Sequence, residues 1–574
     1  MSPPLRRPRR WLRWFTERPA RARWASLLGG AAASALLLGL YSRVEVPWFA
    51  LGFVALVPWL LGLERAASWR EALGGGALMS VAFVAAVFPW FPATVQRYAG
   101  ASTPSLWLLM LVMAPVLEPQ FVACALARHL ARRAPGRAPE IGAALAAASA
   151  YVGVEFVLPK LFFDTLGQGL HPSLHLRQAA DIAGVHGLTL LLVLVNEGVA
   201  ATLRRGAISR AARSLAPLAC ALALLLAGFL YGYLRVAQVE ARSRTPGPVV
   251  GLVQASITNY DRLRAEKGAF ETVRLVLDTH YALTDEILGR ARPDLIVWPE
   301  TVYPTTFGSP RSEAGAAFDE EIAAFVASRG LPLVFGAYEA DEGREYNAAF
   351  LLDPSRQGRP SSASYRKRML FPLTEWVPEA LDSEWLRGAL PWTGHWTRGS
   401  GPRVLELEIG KGEPLSVAPL ICYDVLFPDV VAEAAARGAE LIVTLSNDSW
   451  FPDERAPRLH LISAAFRSIE TRLPQVRATN SGISAVITPT GEITATTRWD
   501  QRETLVATLA GRGEGSSRAA TWGRWLGPAL LVAALLLSLR APARDARDPR
   551  PPEPPDPPDP ARPPRRHSRR RKRT

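Results

Sequence analysis

Apolar residues follow two patterns along this chain. Up to residue 234 they form long runs; from 247 they form short runs separated by amphipathic stretches. Seven long runs lie near 24–41, 46–63, 72–92, 104–126, 139–158, 181–203 and 214–234, and an eighth covers 523–539. Each approaches the ~20 residues that carry a helix across a bilayer. The pattern predicts a multi-pass α-helical membrane domain of seven helices over 24–234, with an eighth helix closing the chain. Between them, VVGLVQAS (249–256), DLIVWPE (294–300), LPLVFGAY (331–338), LSVAPLICYD (415–424), ELIVTLSND (440–448) and ISAVITP (483–489) read as strands. Helical stretches at 265–290, 311–329, 429–438 and 456–472 alternate with them. That alternation predicts a layered α/β domain over 247–512, with sheets covered on both faces.

The connections between runs add an orientation. Arg-poor connections (Arg43; Arg97; Lys160 and Arg177) alternate with Arg-rich ones (Arg65 and Arg70; Arg128, Arg132, Arg133 and Arg137; Arg204, Arg205, Arg210 and Arg213). By the positive-inside rule the N-terminus is cytoplasmic, 247–512 lies outside, and the last helix returns the tail to the cytoplasm. The net charge of +14 does not alter this, because residues 1–23 carry +7 and residues 541–574 carry +6. The body is nearly neutral and offers no nucleic-acid footprint. The basic tails suit topology and anionic lipid, and the Pro- and Arg-rich segment 541–574 cannot form a core.

Three cysteines exclude a disulfide framework. Cys124 and Cys220 sit in apolar runs, while Cys422 stands alone in the α/β segment, at a strand end. Two more strand ends carry polar groups, Trp298-Pro299-Glu300 and Asn447-Asp448, and the loop Tyr365-Arg366-Lys367-Arg368 leads to Glu375. Strand carboxyl ends are where α/β folds build sites. A thiol needs a base or cation to become a nucleophile. Glu300 can take its proton, Lys367 can stabilise a thiolate or oxyanion, and Glu375 can hold the lysine. The competing reading is a buried strand cysteine and a surface acid. His460 reads as structural, and His171 and His175 as solvated or structural; Asn196 and Glu197, inside an apolar run, read as snorkelling, interhelical bonding or function. No residue pattern calls for a metal or cofactor. Residues 376–396 carry Trp376, Leu381, Trp385, Leu386, Leu390, Trp392 and Trp396, which fits a loop entering the bilayer or one packed on the domain.

VWPET (298–302), YRKRMLFPLTEWVP (365–378) and ICYDVLFP (421–428) resemble the three catalytic blocks of the nitrilase, or carbon–nitrogen hydrolase, superfamily. SNDSWF (446–451) and RSIETRLPQVRATNSGIS (467–484) extend the likeness. Glu155, GVHGL (184–188) and Asn196 resemble its membrane branch, the apolipoprotein N-acyltransferases. The resemblance implies an α-β-β-α sandwich with Glu300, Lys367 and Cys422 as catalytic residues. Glu375 would assist, and Asp424, Asn347, Asn447, Trp450 and Tyr423 would be auxiliary or substrate-binding. It implies a ping-pong transfer through an acyl-cysteine thioester, from a phospholipid such as phosphatidylethanolamine to the α-amino group of a diacylated apolipoprotein. It places a monomer in a bacterial inner membrane, with the catalytic domain in the periplasm. The chain departs from that pattern at Asp424 (usually Glu), at Pro452 (usually Gly), in Phe162-Phe163-Asp164-Thr165 (usually Gly-Phe-Pro-Trp), and after Gln254, where a Lys-Trp pair is missing. The rival readings are a membrane-bound amidase, a non-catalytic partner of a polyprenol-phosphate mannose synthase, and a transporter; the last wants internal repeats that the chain lacks.

Overall fold

The computed structural model describes residues 18–99, 102–133, 139–158, 160–161, 164–206, 216–242, 245–258, 260–354, 361–409, 414–511 and 517–539. The tail 541–574, residues 1–17 of the basic N-terminal segment, and Phe162 and Phe163 lie outside them. The first helix, Arg18–Tyr41, starts inside the basic segment 1–23 and carries its last residues.

Among the described residues, six helices are long and apolar enough to cross a membrane: Ala20–Tyr41, Trp69–Val87, Glu140–Val157, Leu176–Arg204, Leu218–Arg242 and Arg518–Ser538. Thr103–Leu117 and Gln120–Arg133 make a seventh if this pair, bent by 44°, is one span. The bend falls at Pro119, which disfavours helical backbone in the residue before it. The expected eight continuous helices are therefore corrected at the second run. There the chain forms a 3-10 turn, Trp48–Phe53, and a short helix, Val57–Leu63. Pro47 and Pro58 lack the N–H groups that a continuous helix would need. The broken segment still returns along the first helix, since Gly52 lies against Tyr41, Gly30 against Pro58 and Gly62 against Ser26. Asn196 fastens it, donating to the Gly52 carbonyl and accepting from Leu56 N (both 2.8 Å). Glu197 accepts from Arg128 (2.6 Å), which also binds Glu64 (2.7 Å). Both polar residues of that apolar run are thus interhelical fasteners.

The second half is a two-sheet sandwich. Its strands are β1 (Val249–Gln254), β2 (Leu295–Val297), β3 (Tyr303–Thr306), β4 (Leu333–Asp341), β5 (Arg344–Asp353), β6 (Ser361–Arg366), β7 (Leu405–Leu407), β8 (Leu415–Ile421), β9 (Leu441–Ser446), β10 (Gln475–Thr479), β11 (Ala485–Ile487), β12 (Ile493–Thr496) and β13 (Glu503–Thr508). One sheet runs β13-β1-β2-β4-β5-β6, with β3 beside β4; the other runs β12-β11-β10-β9-β8-β7. The centre of each is parallel, β1-β2-β4 and β8-β9-β10. Strand alternation builds three apolar layers. Val250, Leu252 and Val297 face Val417, Leu441 and Val443 between the sheets. Val253 and Ile296 turn outward to helices Ala269–Arg290 and Glu313–Arg329. Ala418 and Ile442 turn outward to helices Pro428–Ala436 and Arg455–Thr471.

The helix Arg455–Thr471 joins the halves. Its Leu461 and Ala464 pack on the sheet, whereas Ile462, Phe466 and Ile469 belong to the core of the membrane half. Polar links reinforce the contact: Arg472 to Asp181 (2.7 Å), Gln168 to Ser463 (3.0 Å) and Arg177 to the Thr490 carbonyl (3.0 Å). The Arg-rich helix ends, with Arg128, Arg132 and Arg204 around Glu64, gather at the end of the bundle away from this contact.

Candidate active site

Cys422 follows β8 directly and opens a 3-10 turn, Cys422–Leu426, with a φ of 48°. A residue with a Cβ pays for this left-handed backbone, about 1–3 kcal/mol, so the surroundings must impose it. Asp424 does so from behind. Its Oδ2 accepts from Ile421 N (3.0 Å) and Tyr365 OH (2.8 Å), and its Oδ1 accepts from Met369 N (2.7 Å). Burial pushes this carboxyl up to about 6, opposed by the Lys367 charge and the bonds it accepts. Asp424 is fully buried and does not line the cavity in front of Cys422. Of the two expected roles, auxiliary or substrate-binding, this geometry fits the auxiliary one, since two backbone N–H groups and a phenol occupy its oxygens.

The groups in front of Cys422 come from three other strand ends. Glu300 sits in the turn after β2, where Thr301 has a φ of 57°. Gly336 of β4 makes room, since a Cβ there would lie 2.6 Å from Glu300 Cα. Glu300 Oε1 accepts from Lys367 Nζ (3.2 Å) and Asn347 Nδ2 (2.8 Å), and Oε2 from Asn447 N (2.9 Å). Lys367 follows β6 and also donates to Glu375 Oε1 (2.7 Å). Glu375 Oε2 accepts from Phe371 N (2.7 Å), which closes its own loop. Burial works against the charge on Lys367, but Glu300 and Glu375 outweigh it and hold its pKa well above the usual value. Burial, with Glu300 beside it, pushes the Cys422 thiol up, and Lys367 only partly offsets this. The resting pair is therefore a thiol beside an ammonium, and a base must remove the proton when the sulfur attacks.

These groups border one cavity of about 560 Å³. Of the nine residues singled out in the sequence, eight line it: Glu300, Asn347, Lys367, Glu375, Cys422, Tyr423, Asn447 and Trp450. Tyr423 packs edge-on against Phe371 (5.0 Å), and its hydroxyl donates to the Leu161 carbonyl (2.7 Å). Trp450 donates to the Asn447 carbonyl (2.9 Å) and stacks on Phe451 (4.6 Å). Phe88, Trp90, Asp164 and Gln168 of the membrane half complete the wall. Sequence reasoning missed them because no local signal ties an apolar run to a distant strand end. Within the Trp-rich stretch, Trp396 packs on Tyr338 at the cavity, whereas Trp385 is 78% exposed.

His460 is a support, as read from the sequence. Arg477 donates to its Nδ1 (3.0 Å), so Nε2 carries the proton and donates to the Cys422 carbonyl (3.1 Å). Cys422, Asp448 and His460 bring donor atoms within 4.8 Å of one another, a spacing that also suits a metal. The same guanidinium binds Asp448 (2.9 Å), so it already supplies the positive charge there.

The carbon-nitrogen hydrolase family profile matches residues 249–515, and the apolipoprotein N-acyltransferase N-terminal domain profile matches residues 33–197. With its two facing sheets, the second half is a nitrilase-like fold. An apolipoprotein N-acyltransferase of Bdellovibrio bacteriovorus is 28% identical over 84% of this chain and 87% of its own. One of Brucella suis is 31% identical over 69% of this chain and 72% of its own. Among solved structures, an amidase from Nesterenkonia sp. aligns at 20% identity over 47% of this chain and 92% of its own, with a TM-score of 0.33.

Proposed function

The chain belongs to the apolipoprotein N-acyltransferase family, a multi-pass membrane branch of the carbon–nitrogen hydrolases, and from that premise we propose how its own residues carry the acyl group. Cys422 Sγ attacks the sn-1 ester carbonyl of a phospholipid, phosphatidylethanolamine by preference, while Glu300 takes the thiol proton. The tetrahedral oxyanion is stabilised by Lys367, which Glu375 keeps charged and in place. Collapse breaks the ester C–O bond. Glu300 returns the proton to the leaving oxygen, so a lysophospholipid departs and a thioester remains. The α-amine of the S-diacylglyceryl cysteine of an apolipoprotein then attacks the thioester carbonyl. Glu300 takes the amine proton and delivers it to the departing sulfur, which restores the thiol and completes an N-acyl bond.

One observation carries this reading: Cys422, Glu300, Lys367 and Glu375 border a single cavity whose opposite wall is built by the membrane half. A lipid ester can reach the sulfur there with its chains toward the bilayer, and the thioester is shielded from water. Exposed Leu381 and Trp385 suit a loop resting in the membrane interface beside the site. The positive-inside pattern supports a catalytic half outside the cytoplasm with both termini inside, and family membership supports an inner membrane with the catalytic half in the periplasm.

The test is the intact mass of the purified protein after incubation with phosphatidylethanolamine. The expected result is one fatty-acyl increment, absent in Cys422→Ser and discharged by a diacylated lipopeptide. An increment discharged by water alone would make the protein a lipid hydrolase, and no increment with any phospholipid would refute the acyl-donor assignment.

A further inference from the structure

A second cavity, of about 370 Å³, lies between the catalytic half and the membrane helices. Its wall includes Phe156, His186, Asp429, Glu433, Glu470 and Arg524. A break in the long helix Ala180–Gly206 shapes it. Ala183 and Gly184 leave helical geometry, with Gly184 at a φ of 67°, and Glu470 Oε1 caps the resumed helix through Val185 N (2.7 Å). Glu470 also receives Arg467 (3.1 Å), and Glu433 receives Arg437 (2.5 Å), so both carboxylates are spoken for. His186 is not: it is 3% exposed, it lines the cavity, and its Nε2 has no hydrogen-bond partner among the described residues. A buried, unpartnered ring nitrogen points to a bound polar group. Asp429 and Arg524 border the same cavity with opposite charges, and among the described residues no ion pair joins them; the Arg524 guanidinium lies over the Trp525 ring, 5.5 Å from its centre. Asp429 stands in the first turn of the helix Pro428–Ala436, and Arg524 in the 3-10 turn Gly523–Trp525.

We propose that this cavity holds the zwitterionic headgroup of an aminophospholipid, distinct from the lipid consumed at Cys422. Arg524 and His186 Nε2–H take the phosphate, and Asp429 takes the primary ammonium. A lipid fits better than a free phosphoethanolamine because of what adjoins the cavity. Trp522 and Trp525 flank Arg524 at 40% and 61% exposure, the residue type and placement of an interfacial belt. Below them the helix Leu526–Ser538 exposes Val532, Leu535 and Leu536, a continuous path for acyl chains. The bound headgroup would brace the helix Pro428–Ala436, which begins six residues after the nucleophile, against the membrane half.

The test uses full-length Cys422→Ser protein in vesicles that contain a phosphatidylethanolamine with a photoreactive group on its glycerol. Labelled peptides are mapped by mass spectrometry. Labelling is expected in 183–186, 428–436 and 519–524 as well as at the catalytic cavity. Arg524→Gln should lower the former about tenfold, the size of one lost charge-assisted bond, and leave the latter unchanged. Asp429→Asn should abolish the preference over phosphatidylglycerol while retaining the phosphate contact. Equal labelling by both lipids in the parent protein, or labelling unchanged in both variants, would overturn the proposal. Competition by soluble glycerophosphoethanolamine as effective as by the lipid would overturn the membrane source. If Arg524→Gln misfolds, labelling at the catalytic cavity falls with it, and Asp429→Asn then decides. None of these readings requires that Cys422 form a thioester, so their failure is distinct from failure of the acyl-transfer mechanism.

Discussion

Cys422 is flanked by two buried carboxylates that meet opposite fates. In front, Glu300 borders the cavity and is held by an ammonium, an amide and one backbone N–H. Behind, Asp424 spends its oxygens on two backbone N–H groups and a phenol and does not line that cavity. The difference lies in the partners. A carboxylate that must move a proton needs substrate access and a neighbouring charge that responds to it. One that must fix a strained turn needs every lone pair occupied by rigid donors.

The largest expected effect falls on the front. Cys422→Ser keeps shape and hydrogen bonding but loses the nucleophile, so turnover should drop at least about 10⁴-fold and the acyl-enzyme mass should vanish while the melting curve stays put. Glu300→Gln comes next. It preserves the bonds from Lys367 and Asn347 through the amide oxygen, turns its N–H₂ toward Asn447 N and cannot take a proton, so acylation should slow by roughly 10²–10⁴-fold, read by rapid-quench mass spectrometry. Acylation at the parent rate in this variant would remove Glu300 from the base role and erase the distinction between the two carboxylates.

Legibility in the sequence divides along the same line. The front was readable because Glu300, Lys367, Glu375 and Cys422 sit in three short blocks at strand ends, where an unusual residue in an apolar context marks a site. The back was not. Asp424 lies two residues from the nucleophile and reads as part of the same block, and only the partners Tyr365, on β6, and Met369, in the loop after it, reveal its task. The sheets were half legible. Of the parallel centre, β1, β2, β4, β8 and β9 announce themselves as apolar runs, whereas β10, with Gln475, Arg477 and Thr479, does not. The edge strands β6, β7 and β12 carry mixed residues and owe their pairing to neighbours. The membrane runs were legible as composition and not as geometry, since hydropathy gives an apolar count but not the helix break that Pro47 and Pro58 impose.

Smaller effects belong to the back. Asp424→Asn turns an amide N–H toward backbone donors, at a cost of about 1–3 kcal/mol, and should slow turnover about tenfold while full acyl-enzyme stoichiometry persists. Its pH signature has a fixed sign. Because the carboxyl rises in the fold from its usual 3.8 to about 6, the folded protein keeps a proton that the unfolded chain releases. The associated stability is complete below the lower value and is lost as pH climbs through the upper one. The parent melting temperature should therefore fall across that interval more steeply than that of Asp424→Asn. Parallel curves would place the titration elsewhere.

Tyr423→Phe probes the boundary between the two sides. The ring stays between Phe371 and Phe427, at 5.0 Å from each, and what is lost is a longer bond to the Lys160 carbonyl (3.4 Å) together with the main bond to the Leu161 carbonyl (2.7 Å). That bond ties the nucleophile's turn to the membrane half, and its removal is worth about 1 kcal/mol, or roughly fivefold in rate. The loss should appear in kcat, with KM for the phospholipid nearly unchanged, because the cavity wall keeps its shape. A loss of 100-fold or more would mean that the hydroxyl touches the reacting ester. Tyr423 would then belong with Glu300 at the front, and the Leu161 bond would be the resting state of a group that swings to the substrate.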